Sequence, residues 1–270
     1  MHGLGNDFVV IDTIHQHINL SPEQISFIAD RHIGVGCDQL LLVEQPAPGS
    51  NADFKYRIFN ADGSEVSQCG NGARCFARFV LDKHLTEKRE ILVDTNARQL
   101  LLCCDANGHI TVNMGIPFHA PAEIPLLAEH ESLMYSVEIN NQEWRFGAVS
   151  LGNPHAVLQV VDIRNAPVNE IGAIIESHPL FPERVNVGFM QIVDRQHIKL
   201  RVFERGAGET RACGSGACAA AVIGIEQGLL DSHVKVELPG GSLTIEWHGR
   251  NQPILMMGPA TSVFDGQLEL

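Results

Sequence analysis

Two stretches, RIFNADGSEVSQCGNGA (57–73) and RVFERGAGETRACGSGA (201–217), decide the fold, because they align without a gap when the chain is shifted by 144 residues. Seven positions are identical between them: Arg57, Phe59, Glu65, Cys69, Gly70, Gly72 and Ala73. LGNDFVV (4–10) also resembles LGNPHAV (151–157), and IGVGCDQLLLV (33–43) resembles VNVGFMQIV (185–193). Repetition in the same order at a near-constant offset indicates two copies of one structural unit. A recurring core pattern is the alternative, but glycines and polar residues repeat too.

The repeat sets the expected domain boundaries. We expect one copy over residues 1–117, with Cys69, and a second over 145–255, with Cys213. The stretch 118–144 would be a linker region and the start of the second half, because its first part carries prolines and no clear periodicity. The C-terminal stretch 256–270 is a candidate strand for completing the first copy.

Short runs of alternating hydrophobicity and a few helical patterns predict an α/β fold. Ser21 followed by Pro22 is typical of a helix start. Strands are predicted over 8–12, 39–45, 54–60, 99–104 and 109–115, and helices over 21–32, 73–85, 168–178 and 217–230.

Composition excludes several classes of protein. A net charge of -13 disfavours a nucleic-acid partner, because neutralising phosphates requires clustered Lys and Arg. There is no apolar run of membrane-spanning length and no signal-peptide pattern at the N-terminus. An odd number of cysteines, seven, disfavours a fully paired secreted framework. We expect a reduced, cytoplasmic protein with no membrane partner.

Cys69 and Cys213 each lie where a strand and turn lead into a predicted helix. A helix N-terminus carries unpaired N–H groups and binds carboxylates or phosphates. It also lowers the pKa of a cysteine toward thiolate. The neighbouring glycines Gly70, Gly72, Gly214 and Gly216 would allow close approach of a ligand and unusual φ values.

Duplicated units often pack about a pseudo-two-fold axis, which would bring the two thiols to opposite sides of a shared cleft. A base on one face of a carbon and an acid on the other invert its configuration by proton transfer. Helix-end N–H groups would stabilise the charge that develops on a carboxylate. This scheme needs no metal and no organic cofactor. The other cysteines are better explained as small buried hydrophobes (Cys75, Cys103, Cys104 and Cys218), and Cys37 is left undecided.

The motifs MHGLGNDF, GVGCDQLL, FNADGSEVSQCGNGARC, GNPH, ERVNVGF and ERGAGETRACGSGACAA together resemble the diaminopimelate epimerase family over nearly the whole chain. The resemblance implies cofactor-independent interconversion of LL- and meso-diaminopimelate, in the bacterial route to lysine and peptidoglycan. It implies two homologous α/β domains, each a curled, mostly antiparallel sheet around a central helix. It also implies a homodimer.

The same resemblance assigns roles to individual residues. Cys213 would deprotonate the LL isomer and Cys69 would reprotonate it, assisted by His155 and Glu204. The amides of Gly70, Asn71, Gly214 and Ser215 would hold the reacting carboxylate. The rest of the substrate, mainly its distal end, would contact Asn6, Gln39, Asn60, Asn153, Asn186, Glu204 and Arg205. Turn formation is an alternative for Asn60 and Asn153, and the two roles are compatible.

The chain also departs from the family pattern. It begins a few residues later than is usual, Cys37 stands where an aromatic residue is usual, and Phe264 stands where a tyrosine is often found at the dimer contact. A proline or hydroxyproline racemase-like enzyme is the nearest alternative, but its substrate offers no distal charged group for Arg205. A thiol redox protein is a second alternative, disfavoured because neither motif is C-x-x-C. A non-catalytic binding protein would not need a thiol on each face.

Overall fold

The computed structural model describes residues 1–66 and 69–270, so Ser67 and Gln68 of the first cysteine motif lie outside the described residues. The described chain is a mixed α/β protein with seventeen strands and four α-helices. It divides into two compact units, Met1–Asn113 with Met257–Leu270, and Met114–Met256. In the part of the chain that the structure describes, no helix is both long and apolar enough to span a membrane.

The first unit contains two helices and seven complete strands, and it shares two further strands, β8 (Ile110–Gly115) and β17 (Ile254–Gly258), with the second unit. In chain order these elements are β1 (His2–Gly3), β2 (Asn6–Asp12), α1 (Pro22–Ala29), β3 (Gln39–Glu44), β4 (Phe54–Asn60), β5 (Glu65–Val66), α2 (Gly70–Asp82), β6 (Glu90–Asp94), β7 (Gln99–Cys104) and β8 (Ile110–Gly115).

The second unit contains the other two helices. Its elements are β9 (Tyr135–Ile139), β10 (Gln142–Ser150), β11 (Pro154–Gln159), α3 (Val168–Glu176), β12 (Asn186–Asp194), β13 (His197–Glu204), β14 (Gly208–Thr210), α4 (Gly214–Glu226), β15 (His233–Leu238), β16 (Gly241–Glu246) and β17 (Ile254–Gly258). The chain passes between the two units within β8 and within β17.

The two units have the same strand pairing. In the first, β2 pairs parallel with β3, β3 antiparallel with β4, β4 antiparallel with β5 and parallel with β6, and β6 antiparallel with β7. In the second, β11, β12, β13, β14, β15 and β16 repeat these pairings in the same order. The predicted duplication of one mostly antiparallel α/β unit is confirmed.

The duplication extends to an ion pair. Arg57 donates two hydrogen bonds to Glu65, of 2.7 and 2.9 Å, and Arg201 donates two to Glu209, of 2.6 and 2.8 Å. Each glutamate follows its arginine by eight residues and joins the equivalent pair of strands. The identical Arg and Glu positions of the repeat therefore hold each short strand, β5 or β14, against its neighbour.

Helices α2 and α4 are the equivalent central helices of the two units. Each has 13 residues, begins at a glycine directly after a cysteine, and packs against several strands of its own unit. Helix α4 is buried along nearly its whole length, which explains its small and apolar composition, and α2 is buried on all sides from Asn71 to Ala77. Both helices begin three residues before the predicted starts at 73 and 217, because Gly70 and Gly214 are themselves helical.

The first helix confirms its predicted N-terminus but ends early. The Ser21 side chain accepts a hydrogen bond from Gln24 N, and the Gln24 side chain accepts one from Ser21 N, which completes a capping box. Helix α1 ends at Ala29, because the Asp30 side chain accepts from the N–H groups of His32 and Ile33 and turns the chain away. The predicted strands are all present within a residue or two of their expected bounds.

The stretch 118–144 lies in the second unit. It contains a short 3₁₀ helix, Pro121–Glu123, and then β9, which forms an antiparallel hairpin with β10. Ile124 and Leu126 are buried in the core of that unit with Phe146 and Phe181.

Candidate active site

Cys69 is held at the start of α2 by a buried tyrosine. Cys69 N donates to the Tyr56 hydroxyl at 3.2 Å, and the same hydroxyl donates to Cys69 O at 3.2 Å. Tyr56 is 2% exposed and packs edge-on against Phe76, with 5.5 Å between the ring centroids. Because Phe76 belongs to α2 and Tyr56 to β4, the ring fixes the cysteine backbone to both elements.

The Cys69 thiol points to an asparagine whose orientation is set by a carboxylate. Cys69 Sγ donates a long hydrogen bond of 3.9 Å to Asn6 Oδ1, and Asn71 Nδ2 donates to the same oxygen at 3.2 Å. Asn6 Nδ2 in turn donates to Asp38 Oδ2 at 3.0 Å. Arg31 Nη2 donates to the other oxygen of Asp38 at 2.7 Å. An amide that gives its N–H to Asp38 must present its oxygen to Cys69.

Asn71 is itself held by a buried arginine. Arg74 is fully buried, and its Nη2 donates to Asn71 Oδ1 at 2.8 Å. Its Nε donates to Pro259 O at 3.2 Å, which ties the C-terminal segment of the first unit to α2. The Asn71 side chain therefore has a fixed orientation toward Asn6.

Gln39 and Asn60, predicted to contact substrate, lie directly opposite each other on β3 and β4. Gln39 Nε2 donates to Asn60 Oδ1 at 3.0 Å, and Asn60 Nδ2 donates to Ser64 Oγ at 3.1 Å. The Asn60 side chain also stabilises the turn to β5, so the turn-forming alternative is real for this residue.

Cys213 occupies the equivalent position at the start of α4. Its Sγ accepts a hydrogen bond from Gly216 N at 3.3 Å and lies 3.6 Å from Ser215 Oγ. The thiol is buried, and burial together with the negative charge of Glu204 raises its pKa well above the usual value. The helix N-terminus acts in the predicted direction through the Gly216 N–H, but burial and Glu204 outweigh it.

His155 is a buried, uncharged imidazole. Burial, with a further contribution from the Arg205 charge, lowers its pKa from 6.5 to about 3. Asn153 Nδ2 donates to Ser215 Oγ at 3.4 Å, so Asn153 Oδ1 is the atom that faces His155 Nε2 at 3.2 Å. Nε2 therefore carries the proton and Nδ1 has the lone pair.

Hydrogen bonds to the side chains of Asn186 and Glu176 hold the turn that carries Glu204 and Arg205. Asn186 Oδ1 accepts from Arg205 N at 2.9 Å, while Asn186 Nδ2 donates to Pro154 O. The buried Glu176 accepts from Gly206 N at 2.9 Å and from Arg184 Nη2 at 2.8 Å. Glu204 accepts a short hydrogen bond from Thr210 Oγ1.

The two half-sites match in one further contact. Asn6 contacts Asn71 in the first unit, and Asn153 contacts Ser215 in the second. Asn71 and Ser215 are equivalent in the repeat, and LGND and LGNP place the two asparagines at equivalent points. The geometry of each unit thus brings together a cysteine at a helix start, the residue two positions after it, and an asparagine from the first repeated strand.

The unusual φ values predicted for the motif glycines are absent, while the close approach of a ligand to them stays a prediction. None of Gly70, Gly72, Gly214 and Gly216, all of which the structure describes, is among the residues with positive φ. A Cβ on Gly72 would lie 3.0 Å from the Tyr56 hydroxyl, and one on Gly216 would lie 3.1 Å from Cys213 Sγ. These two glycines therefore allow the helix start to pack against its own unit.

Four residues around the half-sites escaped the sequence reasoning: Tyr56, Arg74, Asp38 and Glu176. Asp38 lies in the repeated glycine-rich turn, directly before Gln39, and this position could have drawn attention to it. Tyr56, Arg74 and Glu176 carry no sequence signal, because a polar residue in a strand or helix does not reveal that it is buried.

Comparisons with known proteins identify the family. The family model described as diaminopimelate epimerase matches residues 1–119 and 147–263. The diaminopimelate epimerase of Stutzerimonas stutzeri strain A1501 is 59% identical over 100% of this chain and 98% of its own length. The chain belongs to the diaminopimelate epimerase family. The epimerases of Nitrosomonas europaea and Nitrosospira multiformis are 58% and 57% identical, over the whole of this chain and 98% and 97% of their own lengths.

Solved structures of more distant proteins share the fold of this epimerase family member. A probable proline racemase from Agrobacterium radiobacter K84 aligns with a TM-score of 0.71 at 15% identity, covering 100% of this chain and 91% of the other. A hydroxyproline epimerase from Agrobacterium vitis aligns with a TM-score of 0.65 at 16% identity, covering 96% and 87%. At these identities the likeness shows the two-domain fold alone.

One departure from the family pattern lies close to the first half-site. Cys37 is 3% exposed, and burial raises the pKa of its thiol. Since it directly precedes Asp38, its buried side chain anchors the turn that orients Asn6. In this family member Cys37 is thus a packing residue.

Proposed function

We propose that the protein interconverts LL-2,6-diaminopimelate and meso-2,6-diaminopimelate, with Cys213 removing the α-proton of the LL isomer and Cys69 returning a proton to the opposite face. The observation that carries the proposal is the equivalence of the two cysteines. Each is the N-cap of the central helix in a unit of the same topology, in a chain that belongs to the epimerase family. The pseudo-two-fold packing that would bring the thiols to one substrate is part of the proposal.

The second half-site supplies the base. Cys213 is neutral before substrate binds, because its raised pKa keeps the thiol protonated. Glu204 acts on the thiol both by charge and by a hydrogen bond, so its carboxylate is placed to accept the Cys213 proton. The thiolate then removes the substrate α-proton, and the Gly216 N–H stabilises the negative sulfur.

The first half-site supplies the acid. The hydrogen bond from Cys69 Sγ to Asn6 Oδ1 favours the protonated thiol, because an amide oxygen only accepts. The thiol delivers its proton to the carbanion and becomes a thiolate. Between turnovers the protonated Glu204 releases its proton to solvent and the Cys69 thiolate takes one up, which returns both groups to their starting states. His155, neutral with a lone pair on Nδ1, is proposed to assist the thiols as a proton acceptor.

The helix starts hold the reacting carboxylate. Backbone N–H groups at Gly70, Asn71, Gly214 and Ser215 open α2 and α4, where the first N–H groups lack partners within the helix. Preorganised N–H donors stabilise the charge that moves onto the carboxylate as the α-proton leaves, which is the larger part of the catalytic effect.

The distal amino acid end of the substrate meets Arg205 and its surroundings. Arg205 is exposed, and its Nη1 donates to Glu183 O at 2.9 Å, which leaves the other guanidinium donors for a carboxylate. Further substrate contacts come from Asn6, Gln39, Asn60, Asn153, Asn186 and Glu204. A proline-type substrate would leave Arg205 without a partner, so we favour diaminopimelate over a racemase-like activity.

The test is isotope incorporation. Incubated with LL-diaminopimelate in D₂O under reducing conditions, the protein should place deuterium at the α-carbon of the product as it isomerises. Cys69→Ala and Cys213→Ala should each abolish or severely reduce this, whereas Cys103→Ala, a thiol on β7 outside both motifs, should retain it. Full activity in either motif variant would disprove the two-base scheme. Turnover of L-proline in place of diaminopimelate would favour the racemase alternative.

The cellular setting follows from the proposed reaction. An enzyme of lysine and peptidoglycan precursor synthesis would act in the cytoplasm as a homodimer. The exposed apolar side chains of the C-terminal segment, including Val263, Phe264 and Leu270, support a contact between copies. Light scattering that gave a monomer mass at assay concentrations would disprove the dimer.

A further inference from the structure

Three side chains outside the candidate active site place metal-ligating atoms together. His233, Glu246 and His248 have one ligand atom each, and these atoms all lie within 4.8 Å of one another. They lie at the open end of the β15–β16 hairpin, away from its turn, because β15 begins at His233 and β16 ends at Glu246. The proposed reaction uses none of the three.

Strand geometry puts all three on one face. His233 lies directly opposite Glu246 in the antiparallel register. The next residue, Trp247, is buried, so the alternation of an extended chain returns His248 to the outer face beside Glu246. Trp247 N donates to Ser232 O at 2.9 Å, which continues the strand pairing beyond the named strands and keeps the two segments together.

The distances suit a small metal ion. His248 Nε2 lies 2.7 Å from Glu246 Oε1, and His233 Nε2 lies 3.3 Å from Glu246 Oε2. Zinc–ligand bonds of about 2.0–2.1 Å in a tetrahedron separate the ligand atoms by about 3.4 Å. A small adjustment of three side chains that are one-third to three-fifths exposed would reach that spacing.

The surroundings favour the required orientation. The Glu246 carboxylate lies between the two imidazoles, with one oxygen near His248 Nε2 and the other near His233 Nε2. His233 Nδ1 lies 3.3 Å from Ser232 Oγ, a contact that orients the ring and leaves Nε2 for a ligand. The two rings stand edge to face, with 5.6 Å between their centroids.

We propose that His233, Glu246 and His248 bind a divalent transition-metal ion of the zinc class, which clips the open end of the hairpin together. Two imidazoles and one carboxylate are ligands that zinc accepts, whereas magnesium and calcium prefer oxygen ligands alone. Water completes the coordination, because the site faces solvent.

The test is titration of the purified full chain with Zn²⁺, followed by calorimetry and by the rise in melting temperature. His233→Ala and His248→Ala should each weaken binding by about tenfold or more, since even the loss of a residue that merely orients a metal ligand costs about 10–100-fold. His109→Ala is the matched control, because His109 is an exposed hairpin imidazole beside a single carboxylate, Asp105. The Zn²⁺ affinity of the His109→Ala variant should equal that of the unsubstituted protein.

The free cysteines could also bind the metal ion, and Co²⁺ distinguishes thiolate ligands from the proposed histidine and glutamate ligands. The optical spectrum of the Co²⁺ complex should lack the thiolate charge-transfer band. Zn²⁺ affinity unchanged in both histidine variants, or a Co²⁺ spectrum dominated by thiolate ligation, would overturn the proposal. Both variants should keep full epimerase activity without metal, which shows that they fold and separates this result from any failure of the proposed function.

Discussion

Replacing Tyr56 with phenylalanine tests how the structure positions the first thiol. The substitution keeps the buried ring and its edge contact with Phe76 but removes both hydrogen bonds to the Cys69 backbone. Each bond contributes about 1 kcal/mol, so Tyr56→Phe should lower the free energy of unfolding by about 2 kcal/mol. For a chain of this size that corresponds to a fall in melting temperature of about 5 °C.

The kinetic effect of Tyr56→Phe should exceed the effect on stability. A displacement of about 1 Å in a reacting group costs up to about 10²-fold in rate. We therefore expect kcat for diaminopimelate epimerisation to fall by about 10–100-fold while KM changes little, because Tyr56 touches the thiol backbone and not the distal binding residues.

Tyr135→Phe is the matched control for this experiment. Tyr135 is the only other tyrosine in the chain, and its hydroxyl accepts a single hydrogen bond from Ser132 N near the surface of the second unit. This variant should be nearly as stable and as active as the unsubstituted enzyme. Tyr56→Phe with unchanged kcat, measured by release of the α-proton into solvent, would refute the positioning role.

Three further predictions concern the groups around the thiols. Asp38→Ala should lower kcat/KM about tenfold, because Asn6 loses the carboxylate that turns its oxygen toward the thiol; an unchanged kcat/KM would contradict this. Glu204→Gln should abolish most activity yet speed alkylation of Cys213 at fixed pH, because loss of the negative charge lowers the pKa of that thiol. Peptide mass spectrometry measures the alkylation rate, and slower alkylation would contradict the role of Glu204. His155 should stay neutral between about pH 5 and about pH 8, because its pKa lies far below the usual range; NMR titration of its ring protons in that interval would show otherwise.

The sequence predicts the parts of the fold that depend on repetition and local pattern. The offset between the cysteine motifs predicts two equivalent units, and Ser21 with Pro22 predicts the start of α1. The sequence pattern places the starts of α2 and α4 three residues too late. Glycine has a low helix propensity, but tertiary packing overrides it at Gly70 and Gly214.

The sequence is less informative about the environment of the site. A helix N-terminus favours a low cysteine pKa, and the Gly216 N–H acts in that direction on Cys213. Burial and Glu204 act the other way and outweigh it, and neither is visible in a motif. Tyr56 lies in a strand and Arg74 in the interior of a helix. Only the folded structure shows that Tyr56 hydrogen-bonds to Cys69 and that Arg74 hydrogen-bonds to Asn71.

Divergence between the two copies is what makes the duplicated thiols chemically different. The position of Arg74, which fixes Asn71, corresponds to Cys218 in the second copy, and Tyr56 corresponds to Leu200. The polar supports of the first thiol are thus replaced by apolar residues around the second, where Cys218 and Leu200 are buried. Conversely, Glu204 stands where the first copy has Asn60, so a carboxylate raises the pKa of Cys213 and, in the proposed scheme, accepts its proton. Two identical thiols in identical surroundings would have no preference for which one starts as the base. In the proposed scheme, the carboxylate beside Cys213 makes it the base in the LL-to-meso direction, and the amide oxygen beside Cys69 makes it the acid. In the reverse direction of the proposed reaction the roles exchange, with Cys69 as the base and Cys213 as the acid.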